Sequence, residues 1–126
     1  VIETRPGEDG VVASAFALVE IEAVKHLRSR EDVFTAEEET YARARSDPER
    51  RLAARLAAKQ AAQRLLGGGV PLGEIEIVRG RRGPPVLRLT GGAEERMREL
   101  GASSALVSLT HERRHAAAVV VFLEED

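Results

Sequence analysis

The stretch from Asp47 to Gly69 constrains this chain more than any other. Asp47-Pro48 supplies an N-cap residue followed by proline at the first helical position, where the missing N–H costs nothing, and Gly67-Gly68-Gly69 stops the helix. Between them runs ERRLAARLAAKQAAQRLL, built from strong helix formers. Its large apolar residues are few, so it must pack through small ones. Ala54, Ala58 and Ala61 recur at helical spacing and permit close approach of a sheet or a second helix. Composition agrees: hydrophobic residues make up 43% of the 126 and aromatics only 3%, so the core must be aliphatic.

Strands and short helices surround that helix in the pattern. Val11 to Ile21, VVASAFALVEI, is almost continuously apolar and reads as a buried strand running into a helix start. EAVKHLRSR and AEEETYARARS read as helices, and Thr35 with Glu38 has capping-box spacing. EIEIVR at 74–79 and PVLRLT at 85–90 form a hairpin across a turn with Gly80 and Gly83. AEERMREL is a short helix ending at Gly101, and SALVSLT and AAAVVVFL flank the polar turn HERRH. The order predicts one α+β domain over 11–126, a largely antiparallel sheet packed on a long helix, with 1–10 as a linker or loose end.

Several function classes are excluded. Nineteen basic against 21 acidic residues give a net charge of −2, and with one Tyr, three Phe and no Trp there is little to stack on bases, so no nucleic-acid partner is expected. No cysteine means no disulfide and no thiolate metal site. No apolar run reaches the length of a membrane span and the first residues do not form a signal peptide, so a cytoplasmic protein without a membrane partner is expected.

Four stretches, in order, resemble the holo-acyl-carrier-protein synthase family of 4′-phosphopantetheinyl transferases. They are Leu18-Val19-Glu20-Ile21; Arg55-Leu56-Ala57-Ala58-Lys59-Gln60-Ala61 with Arg64 and Gly67-Gly68-Gly69; Gly83-Pro84-Pro85 into Val86-Leu87-Arg88-Leu89; and Val107-Ser108-Leu109-Thr110-His111-Glu112 with Ala116 to Val120. The resemblance covers residues 13–123. It implies a 4′-phosphopantetheinyl-transferase-like fold, a homotrimer with sites at subunit interfaces, and coenzyme A and acyl carrier protein as cofactor and partner. The implied reaction moves 4′-phosphopantetheine from coenzyme A to a carrier serine and releases adenosine 3′,5′-bisphosphate.

The same resemblance places the family's two magnesium-holding carboxylates, an Asp on the first strand and a Glu on the long helix, at Ala17 and Gln60. Neither residue is a carboxylate, so magnesium is not expected. The leading expectation is therefore a non-canonical or inactive homologue acting on carrier-bound or coenzyme-A-linked groups in fatty-acid or polyketide biosynthesis. An active magnesium-dependent transferase and a structural domain of a megasynthase are the alternatives. Site residues implied by the matches are Lys59 and His111 as catalytic groups and Arg55, Arg64, Gly67 and Ser108 as coenzyme A contacts. Lys25, Arg28 and Arg30 represent a shortened carrier-docking region.

Plainer readings stand beside these. Lys59 and Arg64 suit solvated helix charges as well as phosphate contacts. His111 suits a turn cap and Ser108 an internally satisfied strand hydroxyl. Gly67 to Gly69 suit a helix C-cap better than a phosphate cradle, because a helix C-terminus repels anions. The pairs Arg50-Arg51, Arg81-Arg82 and Arg113-Arg114 suit solvated faces.

Overall fold

The computed structural model describes residues 10–79 and 83–124. The expected linker, except Gly10, and the Arg81-Arg82 pair with Gly80 lie outside them. In chain order the elements are β1 (Val11–Glu20), α1 (Ile21–Lys25), α2 (Arg30–Val33), α3 (Ala36–Arg43), α4 (Pro48–Leu65), a single 3-10 turn (Leu72–Glu74), β2 (Ile75–Arg79), β3 (Pro85–Leu89), α5 (Gly91–Glu99), β4 (Ser104–His111) and β5 (His115–Leu123). The antiparallel order β1-β5-β4 makes one sheet and β2-β3 a second, two-stranded one, so the expected α+β architecture is what the chain forms.

The long helix is the hub. Ala53, Ala57, Ala58, Ala61 and Ala62 on α4 have no exposed surface, and Ala17, Ala116 and Ala118 of the sheet share the same core. Methyl against methyl lets the layers sit close. A larger side chain in that layer would force off-rotamer packing at a cost of about 1–3 kcal/mol.

The helix ends follow the sequence. After the C-cap Leu66, Gly67 and Gly68 take φ of 94° and 85°, the left-handed region that only glycine enters freely. Gly68 N–H donates to the Gln63 carbonyl at 2.8 Å and Gly67 N–H to that of Arg64 at 3.2 Å, the paired bonds of a Schellman stop. At the start of α3, Thr35 Oγ1 accepts from Glu38 N–H while Glu38 Oε1 accepts from Thr35 N–H, completing the capping box.

Two expectations fail. The apolar run of β1 is not buried on both faces. Ala17 and Val19 face the core, while Phe16 and Leu18 are 55% and 57% exposed. The sheet has α4 on one side and, among the described residues, nothing on the other, so an apolar run belongs to an uncovered face. EAVKHLRSR is not one helix either: α1 ends at Lys25, and Ser29 adopts φ 52° before α2.

Candidate anion-binding pocket

A spacing of four residues, close to one turn of helix, sets up the first half of the site. Arg51 and Arg55 lie one turn apart on α4, and their side chains reach the end of β2 at Arg79 and the end of β4 at Leu109, Thr110 and His111. Together with Ala54 they line a cavity of about 250 Å³. Three guanidinium groups and an imidazole border it; no carboxylate is among its described lining residues, and Asp47 holds the Arg51 Nε at 3.1 Å from outside them.

Arg55 is the informative member. It is 2% exposed, yet among the described residues its Nε and Nη2 have no hydrogen-bond partner. Only Nη1 is engaged, donating to the Arg51 carbonyl at 3.3 Å. The guanidinium stacks 4.1 Å from the centre of the Tyr41 ring, with Arg45 4.5 Å from the same ring centre. Burial pushes the Arg55 pKa down, and the neighbouring phenol works against that. Burial likewise raises the Tyr41 phenol, but Arg45, Arg55, Arg79 and Arg51 together hold it below its ordinary value. Buried donors are satisfied in the great majority of proteins. Two unsatisfied guanidinium nitrogens on a residue that lines a cationic cavity make it a candidate anion site.

Lys59 does not join them. Its ammonium is fully buried, 2.6 Å from Glu38 Oε1, and donates to the carbonyls of Ile75 at 2.6 Å and Leu72 at 3.2 Å. Glu38 in turn accepts from Ile77 N–H at 2.9 Å, so this pair ties α3, α4 and β2 together. Burial lowers the ammonium's pKa and the Glu38 carboxylate opposes that. The solvated-charge reading of Lys59 is corrected, and all its donor directions are engaged by the scaffold.

The other expected residues fall elsewhere. His111 borders the Arg55 cavity. Ser108 is exposed on the uncovered sheet face, opposite Val119, and is not among the described residues lining the Arg55 cavity. Arg64 projects from the far end of α4, nine residues or about two and a half turns from Arg55 and so on the opposite side of the helix. Its Nη1 donates to the Phe16 carbonyl at 2.6 Å. Gln60, half-buried, lies one turn before it, and Ala17 follows Phe16 on the edge strand β1. Gly67 is occupied in the helix stop, with the Arg96 guanidinium nearby. Of the docking cations, Arg30 is held by Glu39 at 2.6 Å and Lys25 sits 3.4 Å from Glu22, while Arg28 is exposed. Arg113 and Arg114, read as solvated, line a cleft with Lys25 beside the β4–β5 turn.

Sequence reasoning missed Arg51, Tyr41 and Arg79. The one signal for Arg51 was its spacing of one turn before Arg55. Tyr41 and Arg79 come from other elements and carried no local signal.

No family model matches the chain. Individual relatives do. Over 118 residues it is 43% identical to a holo-acyl-carrier-protein synthase of Thermus thermophilus, covering 88% of this chain and 92% of that one. The acyl carrier protein synthase structure from Mycobacterium tuberculosis superposes with a TM-score of 0.71 at 34% identity, over 92% of this chain and all of the other. The Helicobacter pylori synthase, solved in complex with coenzyme A, gives 0.72 over 87% of this chain and 99% of that one; at 22% identity it attests the fold alone.

Proposed function

The chain belongs to the holo-acyl-carrier-protein synthase family, and from that premise we propose that it transfers 4′-phosphopantetheine from coenzyme A to a serine of an acyl carrier protein. The observation that carries this reading is the buried, half-unpartnered guanidinium of Arg55 in a cavity bordered by Arg51, Arg79 and His111. Coenzyme A bears an isolated phosphate on its ribose and a pyrophosphate further along. The Arg55 cavity suits the isolated phosphate, and His111 beside it serves as a phosphate contact rather than a proton carrier. Arg64 suits the pyrophosphate.

Those two ends cannot meet within one chain, because they leave α4 on opposite sides about 14 Å apart along its axis at 1.5 Å per residue. A second copy can bring them together. Phe16, Leu18, Leu106 and Val119, 41–61% exposed, form an apolar patch on the uncovered sheet face. Patches of this kind mark association surfaces. We assign that face to the homotrimer, in which one copy offers the Arg55 cavity and its neighbour the Arg64 end.

Carrier docking falls to Lys25 and Arg28 with Arg113 and Arg114. The helical region around Lys25 and Arg28 is short, since α1 and α2 together hold nine residues.

Mass spectrometry of an apo carrier incubated with the protein and coenzyme A tests the activity; the expected result is addition of one phosphopantetheinyl group. Arg55→Met should weaken coenzyme A binding by roughly ten- to a hundredfold, the scale of a lost charged hydrogen-bond donor set. An unmodified carrier together with unchanged coenzyme A binding by Arg55→Met would remove the reading.

A further inference from the structure

The metal that the family resemblance implies does not fit the residues at its place. Ala17 presents a methyl group, 1% exposed, on the inner face of β1, across from Ala118. Gln60 offers a neutral amide in place of a carboxylate. Glu20, three residues along from Ala17, is exposed on the other face of the strand. Among the described residues no group of three or more His, Asp or Glu is arranged to hold a metal ion. Magnesium is dehydrated reluctantly and is ordinarily held by one or two protein carboxylates besides substrate phosphates. Here the chain supplies neither.

What the chain places there is a cation of its own. Among the described residues β1 is the edge strand of its sheet, with β5 its one laddered neighbour. Arg64 takes up the Phe16 carbonyl, one residue before Ala17. That bond uses one nitrogen of the guanidinium. Among the described residues Arg64 has no carboxylate partner, and its side chain is exposed. Arg51 on the same helix, by contrast, has a carboxylate, Asp47, 3.1 Å from its Nε. Arg64 is therefore anchored at one corner and open at the others, beside the residue before Ala17. Its charge also offsets the negative end of the α4 dipole, which would otherwise repel a phosphate.

We infer that this chain binds the coenzyme A pyrophosphate without a divalent metal, the Arg64 guanidinium supplying the neutralising charge from its anchor on the Phe16 carbonyl. A planar fork of donors is suited to two phosphate oxygens at once, which a lysine ammonium at this position would not match. The inference rests on the proposed coenzyme A site.

Titration calorimetry with coenzyme A tests it, in chelator and in millimolar Mg²⁺, on the parent protein, Arg64→Met and Arg64→Lys. The parent should bind with affinities within about twofold in the two buffers. Arg64→Met should lose roughly ten- to a hundredfold in both, the scale of a charged hydrogen bond, with Arg64→Lys between. Tighter binding of the parent by more than about tenfold in Mg²⁺ would overturn the inference while leaving the coenzyme A site standing. So would unchanged binding by Arg64→Met. No binding of coenzyme A by the parent in either buffer would overturn both.

Discussion

Replacing Lys59 by Met separates scaffold from chemistry at the position where the sequence pointed to catalysis. The substitution keeps the length of the side chain and removes its charge. It deletes the 2.6 Å contact to Glu38 and the bonds to the Leu72 and Ile75 carbonyls, all within the core. Glu38 stays 1% exposed and keeps only the N–H groups of Ile77 and Thr35 as donors. Removing one partner of a buried pair costs about 3–5 kcal/mol, because the other charge is stranded. For a chain of this size each kcal/mol moves the melting temperature by about 3–5 °C, so a fall of roughly 10–20 °C is expected. Calorimetric melting at one fixed protein concentration measures it, since assembly would otherwise shift the midpoint. The double variant Glu38→Leu with Lys59→Met should recover part of the loss, leaving four backbone groups short of partners. Below its melting point, Lys59→Met should bind coenzyme A as the parent does. A melting temperature within 2–3 °C of the parent, roughly one kcal/mol or less, combined with lost transfer activity, would refute the structural assignment and return Lys59 to the chemistry.

Three further outcomes are expected. Tyr41→Leu removes the ring beneath Arg55 and should weaken coenzyme A binding by roughly three- to thirtyfold, the range of one cation–π contact, whereas Tyr41→Phe should hold within about twofold; calorimetry distinguishes them. Glu112 should titrate near the value of about 2 to which backbone bonds from Arg114 and the side chain of His115 pull it, down from 4.5. Its folded pKa is depressed, so its contribution to the β4–β5 turn is full above about pH 4.5 and is lost as the pH falls toward 2, and carboxyl NMR shifts should follow that course. Leu106→Glu, on the uncovered sheet face, should shift the protein toward monomer by light scattering with little change in monomer fold; an unchanged mass would count against that face as the subunit contact.

Local chemistry determined a good deal of this molecule. Proline after Asp47, the three glycines after Leu66 and the Thr35–Glu38 spacing bounded α4 and α3, because caps act over one turn and need no distant partner. The alanine stripe announced a close layer, and the alternation of β2 and the apolar β5 announced strands. The four matched stretches carried the family. Tertiary structure decided what each charged residue is for. Lys59 and Arg55 lie one turn apart on the same helix, and no local rule separates them. Glu38 and two carbonyls converge on the first, while the second faces a ring and a cavity with two donors left over. The exposed face of β1 was equally hidden, since an apolar strand reads the same whether a helix of its own chain or another copy is to cover it. Arg64 became an anchored cation only when the edge of β1 came alongside α4 and left the Phe16 carbonyl within reach. Such assignments depend on groups as far as 48 residues apart meeting in space, and on which of them water can still reach.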